Sequence, residues 1–313
     1  MTRKVIITTD PGQDQAAALF MFLGRRDAFD VLGLVATAGN IDIGHTERNC
    51  RKLLELAGRT DIPVHVGCPR PMRRELVMAE HVHGPTGLDG PVLPEPTMPL
   101  AGRNGVGFII DGLRSAAPRS VTICSLSPLT NLAMAIILAP DIGPAIEEVV
   151  MMAGAYFEVG NITPAAEFNV YVDPEAADVV LRSGIKLTML PLDVTHGMRS
   201  TRERLGRMQA IGNRCGVALA EMLTFSEAFD LKKYGWAGAP LHGPCVPAFM
   251  LRPDIFQGRH INVTVETGSS LTLGMTVADW WLITDRPHNA FYVRSGDADR
   301  FYDLLLQALR QLP

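Results

Sequence analysis

Short apolar runs alternate with longer helix-forming stretches through the first two thirds of the chain. The strand-like runs cover residues 5–7, 31–37, 62–66, 120–125, 148–152 and 186–190; each is apolar or β-branched and bounded by turn residues. Between them, residues 13–23, 46–57, 106–116, 129–138 and 174–183 carry helical patterns. The last of these opens on Asp173-Pro174-Glu175, an acid at the cap, proline at the first helical position and early negative charge. Strands alternating with helices predict an α/β fold: an open, mostly parallel, Rossmann-like sheet with helices on both faces and right-handed crossovers. The final third reads differently. Residues 201–249 predict helices and loops, 261–267 and 270–276 a hairpin around Gly268, and 297–312 a closing helix. With no internal repeat and no low-complexity linker, residues 1–313 are expected to form a single domain.

Composition narrows the partners. A chain of 313 residues, 47% hydrophobic, can bury a large core, and a formal net charge of −4 with few basic clusters argues against nucleic acid. Its five cysteines form no Cys-x-x-Cys pair, which speaks against a zinc site or a disulfide framework and fits a reducing cytoplasm. No apolar stretch reaches membrane-spanning length, and no charged-then-apolar leader precedes the first strand.

The candidate chemistry sits where strands end. Thr9-Asp10-Pro11-Gly12-Gln13-Asp14 places two carboxylates on one tight turn between a buried strand and a helix. Polar clusters follow the later strands in order: Thr37 to Asn40, His81 to Gly90, Ser125 to Asn131, Met152 to Gly154 with Gly160 to Asn169, and Pro240 to Pro244. Each has a structural reading as a cap or turn, but six in succession at predicted carboxyl ends point to one crevice. His81 and His83, alternating on an extended segment, would face opposite ways, so one at most should enter it. Tyr234, Trp236 and Trp280 read as core aromatics rather than base-stacking ones.

These motifs, in this order, resemble the nucleoside hydrolases of the inosine–uridine-preferring family. Asp-Pro-Gly, Gly-Asn, His-Gly-x-Thr-Gly-Leu-Asp-Gly, Pro-Leu-Thr-Asn, Ala-Glu-Phe-Asn and His-x-Pro follow the family's sequence from Val5 to the C-terminal helix. The resemblance implies hydrolysis of the N-glycosidic bond of a ribonucleoside to ribose and free base, in a homodimer or homotetramer. It makes Asp10 the general base and a Ca²⁺ ligand, together with Gln15 and the backbone carbonyl of Leu126. It assigns Asp14, Asn40, Asn161, Glu167 and Asn169 to the ribose hydroxyls, and Met152 and Phe168 to the sugar pocket. His83 and His242 would sit on the base side, where His242 could protonate the leaving group, since a histidine ordinarily titrates near working pH.

Three positions depart from the family pattern. Where it has aspartates, this chain has Thr8, Gln15 and Gly243. Calcium affinity follows the number of charged ligands, so the Ca²⁺ implied by the resemblance should bind weakly or not at all. Three activities then stay open: a ribonucleoside hydrolase with an altered metal site, a nucleoside-binding protein without turnover, and a hydrolase for a ribosyl compound whose own charge replaces the ion.

Overall fold

A computed structural model describes residues 2–313. Six parallel strands run β1 (Arg3–Thr9), β2 (Phe29–Ala36), β3 (Val64–Val66), β4 (Val121–Ser125), β5 (Ile146–Met151) and β6 (Leu187–Met189), in the spatial order β3-β2-β1-β4-β5-β6. The strand Ala290–Gly296 continues the sheet parallel to β6, and Phe256–Ile261 closes its edge antiparallel. The chain moves outward from β1 to β3 and then returns to the other side of β1, so strand order reverses between β1 and β4. Loops at the carboxyl ends of those two strands diverge there and leave a crevice.

Strand alternation builds two cores. Val5 and Ile7 of β1 enter one cluster with Leu34, Cys124 and Val150 of the neighbouring strands, while Ile6 enters the other with Val35, Ile123 and Val149. Both faces of the sheet are thus covered, which is why the runs read as continuously apolar. Helix α1 (Gln13–Gly24) is buried along its whole length, lying between the sheet and the helix Ala298–Leu309. Gly24 permits this: a Cβ there would lie 2.1 Å from the Ala308 carbonyl oxygen.

The expected helices form, with shifted ends. The second, α2 (Ile43–Leu56), starts three residues early because the Asp42 carboxylate accepts from the amides of Gly44 and His45. Asp173 caps Pro174–Leu181 as its motif predicts. The expected hairpin is corrected: Val263–Val265 pairs with Thr276–Ala278, and most of 270–276 is loop. There the Glu266 carboxylate accepts from Gly268 and Ser269, and the Ser269 hydroxyl from Leu271 and Thr272, so side chains supply the partners a strand would need. The strands Phe256–Ile261 and Ala290–Gly296 escape the pattern, the former being an edge strand with polar residues on both faces. All five cysteines are free. Among the described residues, no helix is long and apolar enough to cross a membrane.

Asp173 does more than cap. Besides the Ala176 amide, it accepts from the Thr130 hydroxyl (2.6 Å) and the Met72 amide (2.9 Å), tying three segments together. Asp173→Ala should therefore cost about 2–3 kcal/mol, more than an exposed cap, because it leaves several donors unpaired in the interior. Chemical denaturation of the two proteins measures the difference.

Candidate active site

The crevice is floored by the turn that follows β1. Asp10 is fully buried there; its Oδ2 accepts from the Asn40 amide (2.8 Å), and Asn40 Nδ2 donates to the Asp10 carbonyl (3.0 Å) and to Gln15 Oε1 (3.2 Å). The chain after β2 comes this close because residue 39 is glycine: a Cβ would sit 2.1 Å from Asp10 Oδ2. Asp10 Oδ1 accepts nothing. It and Thr9 Oγ1 are the two buried side-chain polar atoms among the described residues that lack a partner. Such an orphan oxygen calls for a water or a ligand.

Above this floor opens a cleft. Asp14, Gln15, Asn40, His83, Met152, Asn161, Glu167, Phe168, Asn169 and His242 all lie on its wall, so ten residues singled out from the sequence meet in one space. Asp10 and Leu126 do not reach the wall; both are fully buried beneath it.

One side of the cleft is built on the helix Phe168–Val172. Glu167 caps it, accepting from the amides of Asn169 (2.8 Å), Val170 (3.2 Å) and, across the loop, Gly154 (3.0 Å). Asn169 Nδ2 donates to the Met152 carbonyl, and Asn161 Oδ1 accepts from the Phe168 amide. Each polar side chain is therefore held by backbone, a rigid mounting for groups that must meet a sugar. Burial raises the Glu167 carboxyl to about 7, against the pull of its three amides. Asp10 is pushed well above the ordinary carboxylate range, by burial first and by repulsion from Asp14 and Glu167 as well. Asp14 is also raised by burial, though His83 and the Gly243 amide (3.0 Å) favour its charge.

The residues present do not fit a Ca²⁺ site of the kind the resemblance implies. Gln15 Oε1 already accepts two hydrogen bonds, from Gly12 (3.1 Å) and Asn40. Gly243 turns a backbone N–H, not an oxygen, toward Asp14, and the Thr8 hydroxyl donates to Ser125 Oγ (3.0 Å). Calcium takes six to eight oxygens. Among the described residues, no three of His, Cys, Asp and Glu are grouped to hold a metal.

The opposite end is aromatic. His83 and His242 do face the cleft, but burial lowers them to about 4 and about 3, so both are neutral at pH 7. The expectation that His242 titrates near working pH is thereby corrected; its Nδ1 pairs with the Thr195 hydroxyl at 2.8 Å. His81 and His83 lie on a short helix, Glu80–His83, not an extended segment, and both reach the cleft, His81 edge-on to Phe229. Tyr234 lines the cleft with Trp236 stacked on it at 4.4 Å, so neither is a core residue, whereas Trp280 is. Sequence reading missed His196, Asp230 and Phe229. His196 caps the short helix Leu192–Thr195 that follows β6, where the polar-cluster logic would have found it; Asp230 and Phe229 lie in the last turns of the helix Arg214–Tyr234 and carry no such signal.

Comparison with known proteins follows the same lines. The family model described as inosine-uridine preferring nucleoside hydrolase matches residues 5–303. An uncharacterized protein of Schizosaccharomyces pombe is 47% identical over 310 residues, 99% of this chain and 100% of that one. A protein named pyrimidine-specific ribonucleoside hydrolase RihA, from Shewanella baltica, is 43% identical over 311 residues, 99% of this chain and 97% of its own. Among solved structures, a purine-preferring ribonucleoside hydrolase from Gardnerella vaginalis superposes with a TM-score of 0.91 at 26% identity, covering 98% of both chains. A plant nucleoside hydrolase does so with a TM-score of 0.90 at 29% identity, covering 99% of both.

The raised Asp10 gives a two-part prediction. A base works ionised, so kcat/KM should rise with pH along an acid limb lying above the ordinary carboxylate range, near 4. The folded protein also holds that proton more tightly than the unfolded chain. Its contribution to stability is therefore fullest at low pH and declines as pH rises through the folded-state value. Asp10→Asn should abolish turnover yet raise Tm, by more at pH 8 than at pH 5. An equal or absent gain at both values would contradict the buried, raised carboxyl.

Proposed function

The chain belongs to the inosine–uridine-preferring nucleoside hydrolase family, and from that premise we propose that it hydrolyses ribonucleosides to ribose and free base with Asp10 as base and no divalent cation. The observation that carries this reading is the buried, unpartnered Asp10 Oδ1 beneath a cleft whose other polar groups are held in place. In this reading Asp10 takes a proton from water, the resulting hydroxide bonds to C1′, and the C1′–N bonding pair leaves with the base, which takes up a proton. Asp14, Asn40, Asn161, Glu167 and Asn169 hold the ribose, with Met152 and Phe168 against its apolar face. Those hydroxyl contacts favour ribose over deoxyribose. His242 hydrogen-bonds the departing base as a neutral imidazole.

The likeness to a relative named for pyrimidine specificity supports pyrimidine ribonucleosides as the preferred class. A homodimer or homotetramer in a reducing cytoplasm completes the proposal, supported by the family resemblance and the free cysteines. A nucleoside-binding protein without turnover is the second reading, favoured by the same committed oxygens that leave no room for the metal.

Base release from a panel of ribonucleosides, followed with added Ca²⁺ and with chelator, separates these. Turnover unchanged by chelator is the expected result; turnover lost in chelator would overturn the metal-free mechanism. Saturable nucleoside binding with no base release would favour the second reading. The missing acids can also be restored. A Cβ at Gly243 would meet nothing closer than 3.4 Å, with Asp14 Oδ2 at 3.5 Å, so a side chain can start there beside the Asp14 carboxyl. Gln15→Asp with Gly243→Asp should create calorimetrically detectable Ca²⁺ binding absent from the parent. No gain would mean the floor has been rebuilt beyond those two positions.

A further inference from the structure

Gln13 follows the Asp-Pro-Gly turn directly and has no part in the reading above, yet it is fully buried and spends its whole amide on one histidine loop. Its Nε2 donates to the carbonyl oxygens of His83 (2.9 Å) and Asp89 (3.3 Å), and its Oε1 meets His83 Nδ1 at 2.6 Å. An amide end facing two carbonyl oxygens must be the N–H₂ end, so the orientation of Gln13 is not interchangeable. The other end is then a carbonyl oxygen, which only accepts. His83 Nδ1 must carry the hydrogen.

A neutral imidazole has one N–H, so Nε2 is left as a lone pair. That atom has no protein partner and is not among the enclosed atoms that lack one, which places it on the open wall of the cleft that His83 lines. The ring has little freedom to turn away. It lies directly on the Asp-Pro-Gly turn, where a Cβ on Gly12 would approach Nδ1 to 2.5 Å. Burial keeps the ring neutral, with Asp14 favouring its charge and His81 and His242 opposing it.

We propose that Gln13 is a positioning residue that holds His83 in its Nδ1–H tautomer, so that Nε2 accepts a hydrogen bond from an N–H of the base or a hydroxyl of the ribose. The assignment rests on the nucleoside reading for its ligand but not for the tautomer. It gives His83, which the family resemblance places only on the base side, the definite role of an acceptor. It also makes the cleft selective: a nucleoside with a donor at this point is held, and one with a lone pair there is repelled.

Two measurements on the full chain test this. In ¹⁵N-histidine-labelled protein at pH 7, long-range ¹H–¹⁵N spectra should show His83 protonated at Nδ1. Gln13→Met, close in volume but without acceptor, should shift it toward a mixture of tautomers. Gln13→Glu keeps an acceptor for Nδ1 and should retain the tautomer, which preserves the test if the methionine variant does not fold. For kinetics, Gln13→Met should raise KM for uridine about tenfold, the scale of one hydrogen bond, with little change in kcat. If the base N–H is the partner, 3-methyluridine should be poor for the parent and no poorer for Gln13→Met; if the ribose is, 5′-deoxyuridine should behave so. His83 found charged or protonated at Nε2 in the parent would overturn the proposal, as would a Gln13→Met protein with unchanged spectrum and KM. Failure to hydrolyse any nucleoside would overturn the activity reading alone, since the spectra still decide the tautomer.

Discussion

Burying the Asp10 carboxylate at the point where strand order reverses is the constraint around which this site is arranged. A charge withdrawn from water costs several kcal/mol unless something answers it. Here the answer is mostly backbone. The loop after β2 offers the Asn40 amide, which Gly39 allows to approach, and the helix below begins its N-terminal turn beside Asp14. What remains uncompensated appears as a raised carboxyl and one oxygen without a partner. In the role proposed for Asp10 as base that cost has a use, since the unpartnered oxygen is free to hold a water and take its proton.

The same constraint accounts for the departures from the family pattern as a set. Three carboxylates crowded with Asp10 would repel one another by about 4 kcal/mol per close pair near a protein surface, and only a cation would offset that. Thr8, Gln15 and Gly243 replace those charges with a hydroxyl, an amide and a bare N–H. Each is committed to a neighbour: Ser125, Gly12 with Asn40, and Asp14 respectively. Changing one alone would leave a charge unanswered; changed together they leave Asp10 and Asp14 as the carboxyls of the floor, each beside neutral, hydrogen-bonded neighbours.

The parallel sheet and its crevice were legible in the sequence because each depends on local signals: apolar runs, glycine and proline turns, and polar clusters at strand ends. The ten residues on the wall of the cleft were assigned their roles by the family resemblance. The limits were equally physical. The hairpin was misread because Glu266 and Ser269 build a turn with their side chains, which hydropathy does not register. Phe256–Ile261 was missed because an edge strand need not alternate. Asp230 and Tyr234 line the cleft from the last turns of a long helix, and the neutrality of His83 and His242 follows from burial that the whole fold creates. A motif names the residue type; it does not fix its protonation state.

That last point alters where the catalytic effort falls. In the proposed reaction, with both histidines neutral, the departing base receives no charged acid from them, which leaves the sugar side to assist bond cleavage. There the electrostatics are favourable. Asp14 and Glu167 line the cleft proposed for the ribose with Asp10 buried beneath it, and none of the cleft's wall residues is a lysine or arginine. A neutral nucleoside gains little from such a field. The oxocarbenium-like transition state, with positive charge spread over C1′ and the ring oxygen, gains much more. In that proposal the three carboxyls, whose burial favours their protonated forms in the empty protein, are ionised most readily as that charge develops nearby. Binding strength is thereby directed to the transition state rather than the substrate, as effective catalysis requires.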